Sequence, residues 1–228
     1  MTSSFTPRLD VLPLAQRQLW PQLRAATDLG FVLYGGTAIA LRLGHRASID
    51  FDLFSARPLD RDAIAAALPF VGQATALQDQ RDSWTLLTPE LVKLSFFGNL
   101  TMGRTGTPAT TDDGVLMVAS LDDLMTTNLK VILQRAEAKD YRDIAALLGA
   151  GVSLARGLAA ARKIFGPNFQ PSEALKALVY FGDGDLATLS DAEKIVLGEA
   201  VKTVRDLPQV ELASRELSLT PGDLQSQG

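Results

Sequence analysis

Apolar residues fall into short alternating runs in the first half of the chain and into helical stripes in the second. Phe31-Val32-Leu33-Tyr34 is a β-prone run, stopped by Gly35-Gly36, which can take backbone angles closed to other residues. Thr37 to Leu43 then reads as a short helix. In Ile49-Asp50-Phe51-Asp52-Leu53-Phe54 apolar and acidic positions alternate. A strand would place Ile49, Phe51 and Leu53 on one face and Asp50 and Asp52 on the other. Runs at 74–77, 84–87 and 91–97 extend the sheet, with Thr88-Pro89-Glu90 as a tight turn. Residues 98–113, holding Gly98, Gly103, Gly106 and Pro108, read as an irregular mobile surface loop with a lid as the alternative, and Val115 to Val118 as a final strand.

Helical spacing governs the rest. Residues 11–29 predict an N-terminal helix kinked or delayed by Pro21, and Asp60 caps a helix through Leu68. Behind a capping box of Ser120 and Asp123, the apolar stripe Leu121, Leu124, Met125, Leu129, Ile132 and Leu133 leaves Lys130 off the buried face. Tyr141 to Leu148 is a second helix with Asp140 at its start and Asp143 in its first turn, where the helix dipole favours acids. Gly182-Asp183-Gly184-Asp185 reads as a turn, and Ser190 with Glu193 boxes a helix running to about Leu207. The end after about Ser218 is polar and expected to fray. These patterns divide the chain into residues 1–119, carrying the sheet, and a helical region, 120–228.

Composition narrows the chemistry. With 228 residues, 46% of them apolar, the chain can bury a sizeable core. It has no cysteine, which excludes disulfides, zinc–thiolate sites and cysteine nucleophiles. No secretory signal and no membrane-length apolar run is present, so a cytoplasmic protein is expected. A net charge of -4 and a pI near 5.1 argue against a broad nonspecific nucleic-acid surface, although basic residues cluster around both motifs described next.

The first motif joins Gly35-Gly36-Thr37 to Asp50 and Asp52. Amides at a helix start favour an anion, and two carboxylates with Cα atoms roughly 6 to 7 Å apart on one strand face can converge on Mg²⁺, which prefers carboxylate and phosphate oxygens. Taken singly, the turn reads as ordinary strand-to-helix geometry and the aspartates as a wet strand face. Together with Arg42 and Ser48 between them, they point to a nucleoside triphosphate held with its metal ions.

Residues 34–42 running into 48–53, followed by Asp123-Leu124 through Lys130, Arg135 and Lys139-Asp140-Tyr141-Arg142-Asp143-Ile144, resemble the nucleotidyltransferases of the AbiEii/AbiGii toxin type, a branch of the DNA polymerase β-like superfamily. The resemblance covers residues 31 to about 148. It implies an α+β fold with a mixed sheet flanked by helices and a helical C-terminal half. It also implies Gly35, Gly36 and Thr37 on the triphosphate, Asp50 and Asp52 on Mg²⁺, and Lys130 and Asp140 as further catalytic residues. Arg42, Ser48, Lys93, Arg135 and Asp143 complete the substrate-binding candidates. A toxin of a toxin–antitoxin pair is further implied, with a cognate antitoxin as partner and tRNA or another RNA as acceptor.

One departure weighs on that reading. The superfamily's third carboxylate should stand on Leu91 to Phe97, where Ser95 occupies the position. A serine is no general base without an activating neighbour. Asp140 or Asp143 then substitutes, the acceptor hydroxyl loses its proton to water, or turnover is weak. The rivals are accordingly a nucleotide-binding or partner-binding protein without turnover and an antibiotic-type nucleotidyltransferase acting on a small molecule.

Overall fold

The computed structural model describes residues 3–219. The polar tail expected to fray lies, from residue 220 on, outside the described residues. The strands of the described residues are β1 (Ser4–Phe5), β2 (Val32–Tyr34), β3 (Asp50–Phe54), β4 (Thr75–Gln80), β5 (Ser83–Leu87), β6 (Lys93–Phe97), β7 (Ala109–Thr111) and β8 (Met117–Val118). They form a single mixed sheet in the order β1-β7-β8-β2-β3-β6-β5-β4. β3 lies at its centre, antiparallel to β2 and parallel to β6. That register sets Asp50 opposite Lys93 and Asp52 opposite Ser95.

Helices α1 (Leu14–Leu19), α2 (Arg24–Asp28), α3 (Gly35–Leu43), α4 (Arg61–Ala67), α5 (Leu121–Val131), α6 (Ala138–Gly149), α7 (Leu154–Phe165), α8 (Pro171–Ala177) and α9 (Asp191–Thr203) flank the sheet. Alternation along β3 sends Phe51 and Leu53 into the core, where Trp20 meets the Phe51 ring at 6.3 Å. Asp50, Asp52 and Phe54 face the other way, toward the layer in which α3, α5 and α6 pack on one another. A continuous apolar core links Leu33 of the sheet to Leu158 of α7.

The expected helix over 11–29 is broken into α1, a 3-10 turn at Trp20–Leu23 that takes up Pro21, and α2. Asp60 caps α4 through the Ala63 amide, and Ser190 and Glu193 form the capping box of α9, which stops at Thr203. Ile49 departs from the predicted face: β3 begins at Asp50, the Ile49 carbonyl accepts from Gln16, and its side chain is exposed.

The 98–113 segment is irregular over 98–108, as expected, but it is anchored to the fold and is not a lid. It contains β7, and Arg104 within it is 1% exposed. Asp123 fixes it, accepting from the Thr105 amide at 2.7 Å, the Thr105 hydroxyl at 2.9 Å and the Gly106 amide at 3.1 Å. Ser120 does cap α5, but those loop contacts replace the return half of the box. No helix among the described residues is long and apolar enough to cross a membrane.

Candidate active site

Gly35 takes a φ of 71°, which lets β2 turn directly into α3. A Cβ at Gly35 would come within 2.6 Å of Asp52 Oδ2, so the turn and the aspartate strand touch only because no side chain intervenes. Thr37 is buried; its hydroxyl donates to the Asp50 carbonyl and shares a 2.7 Å hydrogen bond with Ser48. The α3 start is thereby fixed to β3. Both hydroxyls are engaged with protein, while Ser48 and the backbone at Gly36 and Thr37, whose amides are the expected anion contacts, border the cleft.

That cleft, about 360 Å³, is lined by Gly36, Thr37, Arg46, Ser48, Asp50, Asp52, Lys93, Arg135, Lys139 and Asp140, among others. It therefore brings both sequence motifs together. Its cations carry carboxylate partners: Lys93 Nζ lies 2.9 Å from Asp50, Arg135 forks onto Asp140 at 2.8 and 3.0 Å, and Lys139 meets Glu137 at 2.8 Å. Burial, and next the charge of Asp50, push the Asp52 carboxyl above its ordinary pKa; Lys93, the Ser95 hydroxyl donating to Asp52, and Arg135 oppose this. A carboxyl held up by burial and by a neighbouring carboxylate is suited to a divalent cation.

Among the described residues no group of three or more His, Asp or Glu side chains is arranged to hold a metal ion. The donors at hand are Asp50 and Asp52. They suit a hard cation that completes its shell from phosphate oxygens and water, as Mg²⁺ does. The absent third acid is not replaced by Asp140 or Asp143 as a metal ligand, since one is held by Arg135 and the other by Arg46.

Four expected placements are corrected. Lys130 points away from the cleft, giving its ammonium to the Asn168 carbonyl at 2.5 Å near the Phe165 ring. The α5 side of the site is supplied by Thr127, Asn128 and Val131, with Gln134 from the following turn. Lys130 lies only about 60° around the helix from Thr127, on the edge of that arc, and its long side chain leans the other way, onto the Asn168 carbonyl and the Phe165 ring. Arg42 lies outside the cleft, donating to the Val118 carbonyl and stacking 4.3 Å above the Phe5 ring, and burial draws its pKa down to about 10. Asp143 is fully buried and accepts from Arg46 Nε and Nη2, each at 2.7 Å, with His45 Nε2 at 2.6 Å. It braces the cleft wall without lining it. Asp140 falls inside the first turn of α6 rather than at its start, and the preceding Ala138 amide is capped by Asp185 of the glycine turn at 2.6 Å.

Sequence pattern does not single out Arg46 or Lys139 individually, although both line the cleft. Their signal was the basic clustering beside each motif; what hid them was a pairing, Arg46 with Asp143, that spans 97 residues. We expect Lys130→Ala to leave the affinity for a magnesium nucleotide within about twofold, as for a surface change remote from the site. Arg135→Ala should weaken it at least about tenfold by calorimetric titration. Equal losses would restore Lys130 to the site.

Known proteins bear on this geometry. The family described as "Nucleotidyl transferase AbiEii toxin, Type IV TA system" matches residues 22–199. The chain is 30% identical over 166 residues to "Uncharacterized protein aq_aa25" of Aquifex aeolicus (strain VF5), an alignment covering 72% of this chain and 79% of that protein. It is also similar to the crystal structure of the Megavirus polyadenylate synthase, with 12% identity and a TM-score of 0.43, over 58% of this chain and 30% of that one.

Proposed function

Given that this chain belongs to the AbiEii nucleotidyl transferase toxin family, we propose that it transfers a nucleotidyl group from a magnesium–nucleoside triphosphate to a hydroxyl acceptor, as the toxin of a toxin–antitoxin pair. One observation carries this reading: Asp50 and Asp52 open from a single strand face into a cleft that also holds the Gly36–Thr37 helix start, Arg46, Lys93, Arg135 and Lys139. The acceptor is taken to be an RNA such as tRNA, because family membership points toward a toxin; an antitoxin protein would be its partner.

The chain's own residues bind and orient. The α3 amides and the cleft cations take the triphosphate, while Asp50 and Asp52 hold Mg²⁺. Bound there, Mg²⁺ would offset negative charge on the reacting phosphate. The acceptor oxygen bonds to the α-phosphorus, the bond from that phosphorus to the bridging oxygen breaks, and pyrophosphate leaves. Ser95 stands opposite Asp52 where a third acid would be, and Asp140 is held by Arg135, so the acceptor proton passes to water rather than to a protein base.

Radiolabelled nucleoside triphosphates offered with purified tRNA, total RNA and small hydroxyl acceptors test the reading directly. Label entering tRNA supports it, and label entering small acceptors alone would refute the RNA assignment. Lys93 supplies a second test, because its ammonium sits on a metal-binding carboxylate. Lys93→Met is expected to tighten Mn²⁺ binding in the absence of nucleotide, read by electron paramagnetic resonance, and to weaken magnesium nucleotide binding. Losses in both would show that Lys93 does not compete with the metal.

A further inference from the structure

Beside the cationic cleft lies a second cavity of about 260 Å³ that shares Gly36, Asp52, Arg135 and Asp140 with it. Its chemistry differs. Phe54 and Phe97 form the floor, neighbours in adjacent strands whose rings meet edge-on at 5.1 Å. Tyr34 stacks beneath Phe54 at 4.8 Å, with the two rings only 14° from parallel, so the floor is rigid. The α5 side contributes Thr127, Asn128, Val131 and Gln134. Asn128 gives its amide N–H to the Leu124 carbonyl at 2.9 Å, which leaves its carbonyl oxygen to accept. Gln134 is exposed and offers both a donor and an acceptor.

We infer that this aromatic and carboxamide lobe is a nucleobase subsite, joined at Asp52 to a phosphate subsite in the cationic lobe. The inference rests on the nucleotidyl-transfer reading and adds to it an orientation. Arg46, Lys93 and Lys139 line the cationic lobe and not this one, where Arg135 is committed to Asp140. With Asp52 and Asp140 on its rim, the second lobe repels phosphate. A flat, uncharged ring with hydrogen-bonding edges meets the opposite conditions, stacking on Phe54 or Phe97 while the amides address its edge. Phe54 stands two residues beyond Asp52 on the same strand face, roughly 6 to 7 Å along β3, so base and phosphates would lie on either side of the carboxylate pair. The base belongs either to the incoming triphosphate or to an acceptor nucleotide.

The test compares magnesium tripolyphosphate with the magnesium complexes of ATP, CTP, GTP and UTP on the full chain, by calorimetry. Stacking should make at least one nucleotide bind about 10- to 100-fold more tightly than tripolyphosphate. Val131→Trp, which fills the lobe, should leave tripolyphosphate binding intact and erase that advantage. Gln134→Ala, at an exposed position that does not threaten folding, should narrow the differences among the four nucleotides. If instead nucleotides match tripolyphosphate, but free ribonucleosides bind the tripolyphosphate-loaded protein and Val131→Trp abolishes this, the base is the acceptor's and the subsite stands. Nucleotides and nucleosides both indifferent to Val131→Trp and Gln134→Ala would overturn it. Failure of the wild type to bind tripolyphosphate or any nucleotide would instead remove the function it rests on.

Discussion

Asp52→Asn is expected to reduce nucleotidyl transfer by on the order of 10³-fold, because the charge stabilisation supplied through a metal-holding carboxylate amounts to several kcal/mol. The same substitution should stabilise the metal-free protein at neutral pH. Burial, followed by the neighbouring charge of Asp50, holds the Asp52 carboxyl above its ordinary pKa. A group raised in this way contributes stability that is complete below its unfolded pKa and is lost as pH rises through its folded pKa. Above that window the wild type bears an ionised Asp52 that the fold disfavours, and the asparagine variant does not. Melting curves across that window, with and without MgCl₂, read the effect. The wild type should fall relative to the variant as pH rises, and MgCl₂ should restore the wild type far more than the variant. A variant that melts below wild type in metal-free buffer at pH 7, with both indifferent to MgCl₂, would sink the metal assignment.

How far the sequence carried is best judged residue by residue. The β3 face was legible because the period of two in Asp50-Phe51-Asp52-Leu53 admits one arrangement, and the glycines before it leave one place for the chain to turn. Caps at Asp60 and Ser190 were legible for a similar reason: a side chain reaching three residues ahead is local chemistry. Lys130 was misplaced because an apolar stripe defines which side of a helix is buried and leaves the remaining polar arc undivided. Which part of that arc meets β3 depends on how α5 packs on α3 and α6, a matter of whole surfaces. β7 was missed since a three-residue strand following Pro108 carries almost no pattern of its own and is defined by its partners β1 and β8. Asp123 was read as a cap and turned out to anchor the Thr105–Gly106 loop as well, a role set by contacts 17 and 18 residues away.

The two aspartates of α6 separate support from chemistry, and their variants should fail in different ways. Asp143 sits between Arg46 and His45, whose side chains are 19% and 14% exposed. Asp143→Ala leaves Arg46 without its counter-ion and His45 Nε2 without its partner in a poorly solvated place, a loss of about 3–5 kcal/mol that should lower the melting temperature by on the order of 10 °C. Asp140 is also buried, yet its partner Arg135 is 45% exposed and can turn to water once released. Asp140→Ala should therefore cost much less stability, because the expense of breaking an ion pair is set by the charge left behind. Its effect belongs to the cleft: Arg135 loses the fork that aims it past Asp52, and misorientation of that kind costs about 10²-fold in rate. Urea denaturation and steady-state transfer assays on the two variants resolve the difference. Asp143→Ala should show a shifted midpoint, with kcat per folded molecule close to wild type and a raised KM, since Arg46 no longer stands against Gly36. Asp140→Ala should show a midpoint near wild type and a collapsed kcat. The reverse pairing would make Asp143 the residue that meets substrate and Asp140 the brace.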